Sequence, residues 1–217
     1  FRIAFIPSTS MDKKDYIMKT FDRDLLPQAP KYFEVMGLYK TTLIKQADVI
    51  LLFMLFPENF SDKELKKNYD YYINRTTHKS SLSFSSHSVA ANMINDRVRA
   101  FIFFWNALNI DIDNVAGNTQ DGIHAANLGG VWQALIKGYF GFKNINDNIY
   151  LNPALPGNID EIEFKFFWKG DLFKIRGSHD TVAVTLTGKN KKKERIINVW
   201  GEKIKISPGK TKKVNIQ

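Results

Sequence analysis

The stretch NPALPGNIDEIEFKFFWKG (152–170) divides the chain into two halves that follow different hydrophobic periods. Its first seven residues hold two prolines, a glycine and two asparagines, which stop any helix entering the segment. Ile162, Phe164, Phe166 and Trp168 then fall at every second position, the period of a half-buried strand. The same period continues through TVAVTLTG (181–188), RIINVWG (195–201), EKIKISPG (202–209) and KKVNIQ (212–217), separated by Gly, Asn and Pro turns. This half is predicted to be an antiparallel sheet or small sandwich, strand after strand, burying Phe164, Phe166 and Trp168.

Upstream the reading is helical. LIKQADVILLFMLF (43–56) is nearly all apolar after a polar start, so it is expected to be mostly buried. SDKELKKNYDYYINRT (61–76) opens with Ser61 and carries Glu64 three residues on, a capping box. HSVAANMI (87–94) and DRVRAFIFFWNAL (96–108) form a pair joined by a tight Asn-Asp turn, and GIHAANLGGVWQALIKGYFGF (122–142) is a further helix. An earlier segment, 12–26, also reads as helix. Apolar helices alternating with amphipathic ones suggest a layered array, one layer lining a centre and the other covering it.

The chain has 217 residues, 44% of them hydrophobic, which is enough for one large domain or two small ones. It has no cysteine, so disulfides and thiolate chemistry are excluded. The longest apolar run, VILLFMLF (49–56), is too short to cross a bilayer, and no membrane partner is expected. The formal charge is +9, but residues 189–217 hold ten Lys or Arg against Glu194 and Glu202. The remainder carries 21 basic and 20 acidic side chains and is almost neutral. Lysines on strand edges guard against edge-to-edge pairing, and no stacking-aromatic motif accompanies them, so no nucleic-acid partner is expected. The opening FRIAFIPSTS lacks an initiator methionine and suggests a piece of a longer protein.

No metal motif, nucleophile elbow or P-loop is present; His78 and His87 are too loosely spaced for a zinc site. A glycine pair at Gly129 and Gly130 reads as close helix packing rather than a phosphate cradle. Three features remain. IKQAD (44–48) places Lys45 and Gln46 at the start of an apolar helix, where a lysine must snorkel or face a polar cavity. TTHKSSLSFSSHS (76–88) puts eight hydroxyls and two histidines hard against a helix start, either as caps or as an anion site. DGIHAANLGG (121–130) brings His124 into the first turn of a helix of small and apolar residues. Each lies at a helix N-terminal end, which fits one shared polar site at the mouth of the array.

LIKQADVILL, TTHKSSLS with HSVAANM after it, and DGIHAANLGGVWQALIKGYFGF followed by LNPALP resemble, in this order, the C-terminal part of glycoside hydrolase family 65. This is the family of the maltose, trehalose, kojibiose and nigerose phosphorylases. The resemblance runs from roughly 12 to 175. It implies a fold that is mainly α with C-terminal β: residues 1–147 as the closing half of an (α/α)6 barrel and 148–217 as a small antiparallel β-domain. It implies an inverting phosphorylase that cleaves an α-glucoside with inorganic phosphate to give β-glucose 1-phosphate, in the cytoplasm. By the family pattern Ser80, Ser81 and His124 bind phosphate, while Lys45 and Gln46 contact the sugar. No cofactor is implied beyond phosphate as co-substrate. The general-acid glutamate belongs to a motif with no counterpart in residues 1–40, where Glu34 lacks the surrounding pattern, so no catalytic residue is assigned within this chain. The partners implied are a disaccharide, phosphate, the rest of the same protein and a second copy in a homodimer. Two other readings stand beside this one: a hydrolase of the same fold, such as an acid trehalase, and a non-catalytic carbohydrate-binding or interaction module.

Overall fold

The computed structural model describes residues 42–115, 117–187 and 194–216. The expected helix at 12–26, Glu34 and the lysine-rich loop KNKKK (189–193) lie outside the described residues. The chain divides into two compact units, Phe1–Ala134 and Leu135–Gln217.

In the first unit five α-helices are described: α1 (Asp48–Leu55), α2 (Asp62–Ile73), α3 (Ser83–Met93), α4 (Arg97–Leu108) and α5 (Ala125–Gln133). Helix α2 starts as its sequence dictates. The Ser61 hydroxyl accepts from the Glu64 amide and the Glu64 carboxylate accepts from the Ser61 amide, and the helix buries Leu65, Tyr69 and Ile73 on one face. Helices α3 and α4 are joined through Asn95, which takes the left-handed φ of 63° that the tight turn requires. Asp96 then caps α4 by accepting from the Arg99 amide. The odd-numbered helices touch one another in sequence, α1 against α3 and α3 against α5, while α2 and α4 pack against them. This is the two-layered alternation expected of the array. Helix α3 is its centre, with every residue from Ser83 to Asn92 buried.

Two helical expectations change. Helix α1 begins at Asp48, so Lys45 and Gln46 precede it instead of forming its first turn, and Leu52, Leu55 and Phe56 are exposed where burial was expected. The helix expected from His87 also starts earlier, inside the hydroxyl-rich stretch. Helix α3 starts at Ser83, and Ser83, Ser85, Ser86, His87 and Ser88 are all buried. Most of these hydroxyls discharge onto main-chain carbonyls: Ser85 and Ser86 donate to Leu82, and Ser88 donates to Ala100 of α4 at 2.9 Å. A serine whose hydroxyl bonds a carbonyl three or four residues back behaves as a small core residue.

A π-helical turn, Ala134–Tyr139, spans the start of the second unit and is followed by eight strands: β1 (Lys143–Ile145), β2 (Asn148–Leu151), β3 (Glu161–Trp168), β4 (Asp171–Ser178), β5 (Thr181–Thr187), β6 (Arg195–Val199), β7 (Glu202–Ile206) and β8 (Thr211–Asn215). They form two sheets, in the orders β1-β2-β6-β7 and β3-β4-β5-β8. One core joins Ile149, Leu151, Ile197 and Val199 of the first sheet to Phe164, Phe173, Ile175, Val184 and Leu186 of the second, which makes the unit a sandwich. Phe164 is buried, and Phe166 and Trp168 are half-buried against the same core. Phe166 stacks on Phe173 at 5.2 Å, while out-of-phase Phe167 is 77% exposed.

The strands are not all antiparallel neighbours in chain order. Strand β2 pairs with β6 in parallel, because the chain leaves the first sheet after β2, builds three strands of the second, and returns. Two-residue turns close the β1–β2, β3–β4 and β6–β7 hairpins, and both residues of each take positive φ, as in Lys169 (51°) and Gly170 (79°). By contact this unit begins at Leu135, ahead of residue 148, because Ile136 and Phe140 join its core.

Candidate active site

Five sequence-nominated residues lie just ahead of three helices. Lys45 and Gln46 are exposed in the bend before α1. Ser80 and Ser81 are half-buried in the turn before α3, and His124 is the N-cap of α5, one residue short of the expected first turn.

Successive contacts bring these three starts to one end of the helical layer. Ile44 bridges Thr76 in parallel, with the Ile44 amide donating to Arg75 at 2.7 Å and the Thr77 amide donating to Ile44 at 2.8 Å. The Thr77 hydroxyl donates to the same Ile44 carbonyl. The segment carrying Lys45 and Gln46 is thereby fixed beside the segment that leads to Ser80. Helices α3 and α4 run antiparallel, so Phe84 at the start of α3 lies beside Phe103 toward the end of α4. Asp111, just past α4, accepts from the His124 amide at 2.9 Å and from its Nδ1 at 2.5 Å. Asn127 donates to Ala107. These bonds bring the start of α5 to the end of α4, and hence to the start of α3.

Close packing of α5 on α3 rests on one glycine. A Cβ on Gly130 would sit 2.3 Å from the Ser85 hydroxyl oxygen and 2.9 Å from its Cβ, whereas Gly129 has open space around it. The glycine pair is therefore a packing device through Gly130.

The helix starts differ by layer. Helices α2 and α4 are capped by Ser61 and Asp96. The N-caps of α1, α3 and α5 are Ala47, Leu82 and His124, and none makes a side-chain capping bond. Capping thus does not explain the hydroxyls of Ser80 and Ser81. Three helix starts without side-chain caps at one end present amide hydrogens and the positive ends of three helix dipoles.

Below the Ser80–Ser81 turn lies a buried polar cluster that sequence spacing did not disclose. His78 takes a left-handed φ of 51° and stacks on Phe84 at 4.9 Å, with its ring 4.6 Å from that of His87. The His87 Nδ1 bonds the Ser83 carbonyl at 2.9 Å. Among the described residues, both nitrogens of His78, the Nε2 of His87, the Ser83 hydroxyl and the Tyr69 hydroxyl are buried with no hydrogen-bond partner. Burial, and for His78 the neighbouring His87, holds both imidazoles neutral: His78 is well below its ordinary value and His87 is lowered to about 4. Asp111 is held below the usual carboxylate range by its bonds from His124. It was also invisible to motif reading, since thirteen residues separate it from His124.

No group of three or more metal-ligating side chains and no helix long and apolar enough to cross a membrane occurs among the described residues.

The chain is similar to known proteins along most of its length. The description "Glycosyl hydrolase family 65 central catalytic domain" matches residues 4–133, and "Glycosyl hydrolase family 65, C-terminal domain" matches residues 142–206. Kojibiose phosphorylase of Caldanaerobacter subterraneus subsp. tengcongensis is 37% identical over 80% of this chain and 23% of its own length. Alpha,alpha-trehalose phosphorylase of Thermoanaerobacter brockii is 35% identical over 71% of this chain and 20% of its own. Among solved structures, a putative kojibiose phosphorylase from the human microbiome superposes with a TM-score of 0.77 at 28% identity, covering 99% of this chain and 29% of that one. The chain thus spans about a quarter of the length of the relatives it matches. With both domain descriptions matched in order along the chain, this protein belongs to glycoside hydrolase family 65.

Proposed function

We propose that this chain is the C-terminal portion of an inverting disaccharide phosphorylase, and that inorganic phosphate binds where α1, α3 and α5 begin. The observation that carries this reading is the contrast in helix starts: helices α2 and α4 are capped by side chains, while α1, α3 and α5, which touch in sequence, are not. In this reading Ser80 and Ser81 donate hydroxyls, the first amides of α3 supply the charge-stabilising end of a dipole, and His124 lends its imidazole. Lys45 and Gln46, held beside Arg75–Thr77, contact the sugar.

The chemistry suits such a site. An inverting glycosidase needs an acid for the leaving oxygen and a base that activates water. Phosphate is already anionic and nucleophilic, so the base is dispensable, and a second carboxylate aimed at the anion would repel it. What remains is to hold a multiply charged anion in line with C1, which asks for hydroxyls, amides and an imidazole. The leaving oxygen takes its proton from a glutamate assigned to no residue of this chain. The relatives include phosphorylases for kojibiose, trehalose and 1,2-alpha-glucosylglycerol, so an α-linked glucoside is the substrate class.

The test is phosphate dependence of cleavage by the full-length protein, with glucose 1-phosphate assayed on kojibiose, trehalose, nigerose and maltose. Glucose 1-phosphate formed only when phosphate is present is the expected result. Equal release of free glucose without phosphate would identify a hydrolase instead.

A further inference from the structure

We infer that Asp111 is a positioning residue that sets the His124 imidazole for its anion; this rests on the phosphate reading above. Two bonds tie the same carboxylate to the same residue: Oδ2 accepts from the His124 main-chain amide at 2.9 Å, and Oδ1 from Nδ1 at 2.5 Å. Together they fix the backbone at the start of α5 and the rotation of the ring. With the Nδ1 proton committed to Asp111, Nε2 is the nitrogen left to meet a ligand.

That nitrogen has its own neighbour, since the Asn118 side-chain amide lies 3.1 Å from Nε2. In the neutral ring Nε2 accepts from Asn118. The Asn118 Oδ1 is buried without a partner among the described residues. A phosphate in the Asn118 place bonds Nε2 at the ring edge opposite the one that Asp111 holds. Asp111 touches no substrate in this arrangement; it acts only through His124.

The experiment uses the full-length phosphorylase and reads KM for phosphate, KM for the disaccharide and kcat in four proteins: parent, His124→Ala, Asp111→Asn and the double variant. Asp111→Asn keeps an acceptor of the same shape, and the carboxylate is not deeply buried, so folding is expected to survive; a melting curve checks it and Asp111→Glu provides a second variant. Asp111→Asn should raise KM for phosphate roughly 10- to 100-fold, the range of a lost hydrogen bond to a charged group. KM for the disaccharide should stay within about twofold, and Asp111→Glu should recover part of the loss. In the His124→Ala background, Asp111→Asn should add nothing further, because its effect passes through a ring no longer there. If His124→Ala leaves KM for phosphate unchanged, or the parent shows no phosphate-dependent cleavage, the phosphate reading itself falls. If His124→Ala raises that KM but Asp111→Asn does not, or the two effects simply add, Asp111 has no positioning role.

Discussion

At the scale of the residue, chemistry and packing are interleaved in the same dozen positions. Gly130 shows the packing side: a methyl group there meets Ser85 at distances no side chain tolerates. Gly130→Ala should destabilise the helical unit by roughly 1–3 kcal/mol, the usual cost of overpacking, as read by chemical unfolding. Ser85→Gly in the same protein should restore much of it, and failure to do so would show that α3 and α5 do not meet there. His87 shows the electrostatic side. Its folded value of about 4 lies below an ordinary value of 6.5, so the unfolded chain binds the extra proton first on acidification. Its contribution is therefore intact above about pH 6.5 and is lost as pH falls toward 4, by roughly 3 kcal/mol at the lower limit. His78 acts in the same direction. His87→Gln, which can still bond the Ser83 carbonyl, should flatten the unfolding free energy between pH 6.5 and 4; an unchanged slope would place the titration elsewhere. The placement of Ser80, Ser81 and His124 at helix starts was legible in the sequence. Asp111, Asn118 and the burial of both histidines were not, because each depends on a partner brought in from another helix.

At the scale of the element, periodicity carried most of the reading. The capping box of α2, the Asn-Asp turn and strands β3, β5, β6, β7 and β8 all follow from local pattern. Strands β1 and β2 did not, since NINDNIY (144–150) is short and asparagine-rich, and its strands exist because β2 finds β6 nearly fifty residues on. The same long-range closure places a buried ion pair at the edge of the sandwich. Arg195 of β6 bonds Asp171 of β4 at 2.7 Å through Nε, also donating to the Lys169 carbonyl, with the pair almost fully buried. Asp171→Ala would leave the guanidinium buried without its carboxylate, and should cost about 3–5 kcal/mol by urea unfolding. Replacing both partners by apolar residues of similar volume should cost much less. Equal losses in the single and double variants would mean that the pair adds nothing beyond its packing volume.

At the scale of the whole molecule, the helical unit carries apolar surface with no cover among the described residues. Leu52, Leu55, Ile112, Ile123, Leu128 and Trp132 are each more than 40% exposed. Such a surface marks an interaction face, so residues 1–217 expressed alone should self-associate with rising concentration in sedimentation velocity. They should also fail to phosphorolyse any disaccharide, because a sugar alkoxide leaves poorly without a general acid, a contribution of roughly 10² to 10⁴-fold. Turnover at an enzymatic rate by this chain alone would place the acid within it, and Glu34 would be the first residue to replace. The account stands or falls on where the anion sits. Crystals of the full-length protein soaked with selenate, which has the charge and shape of phosphate, can be measured at the selenium absorption edge. An anomalous peak within hydrogen-bonding reach of the Ser80 and Ser81 hydroxyls and of His124 Nε2 is the predicted result. A peak elsewhere, with those three groups bonded only to protein, would contradict it.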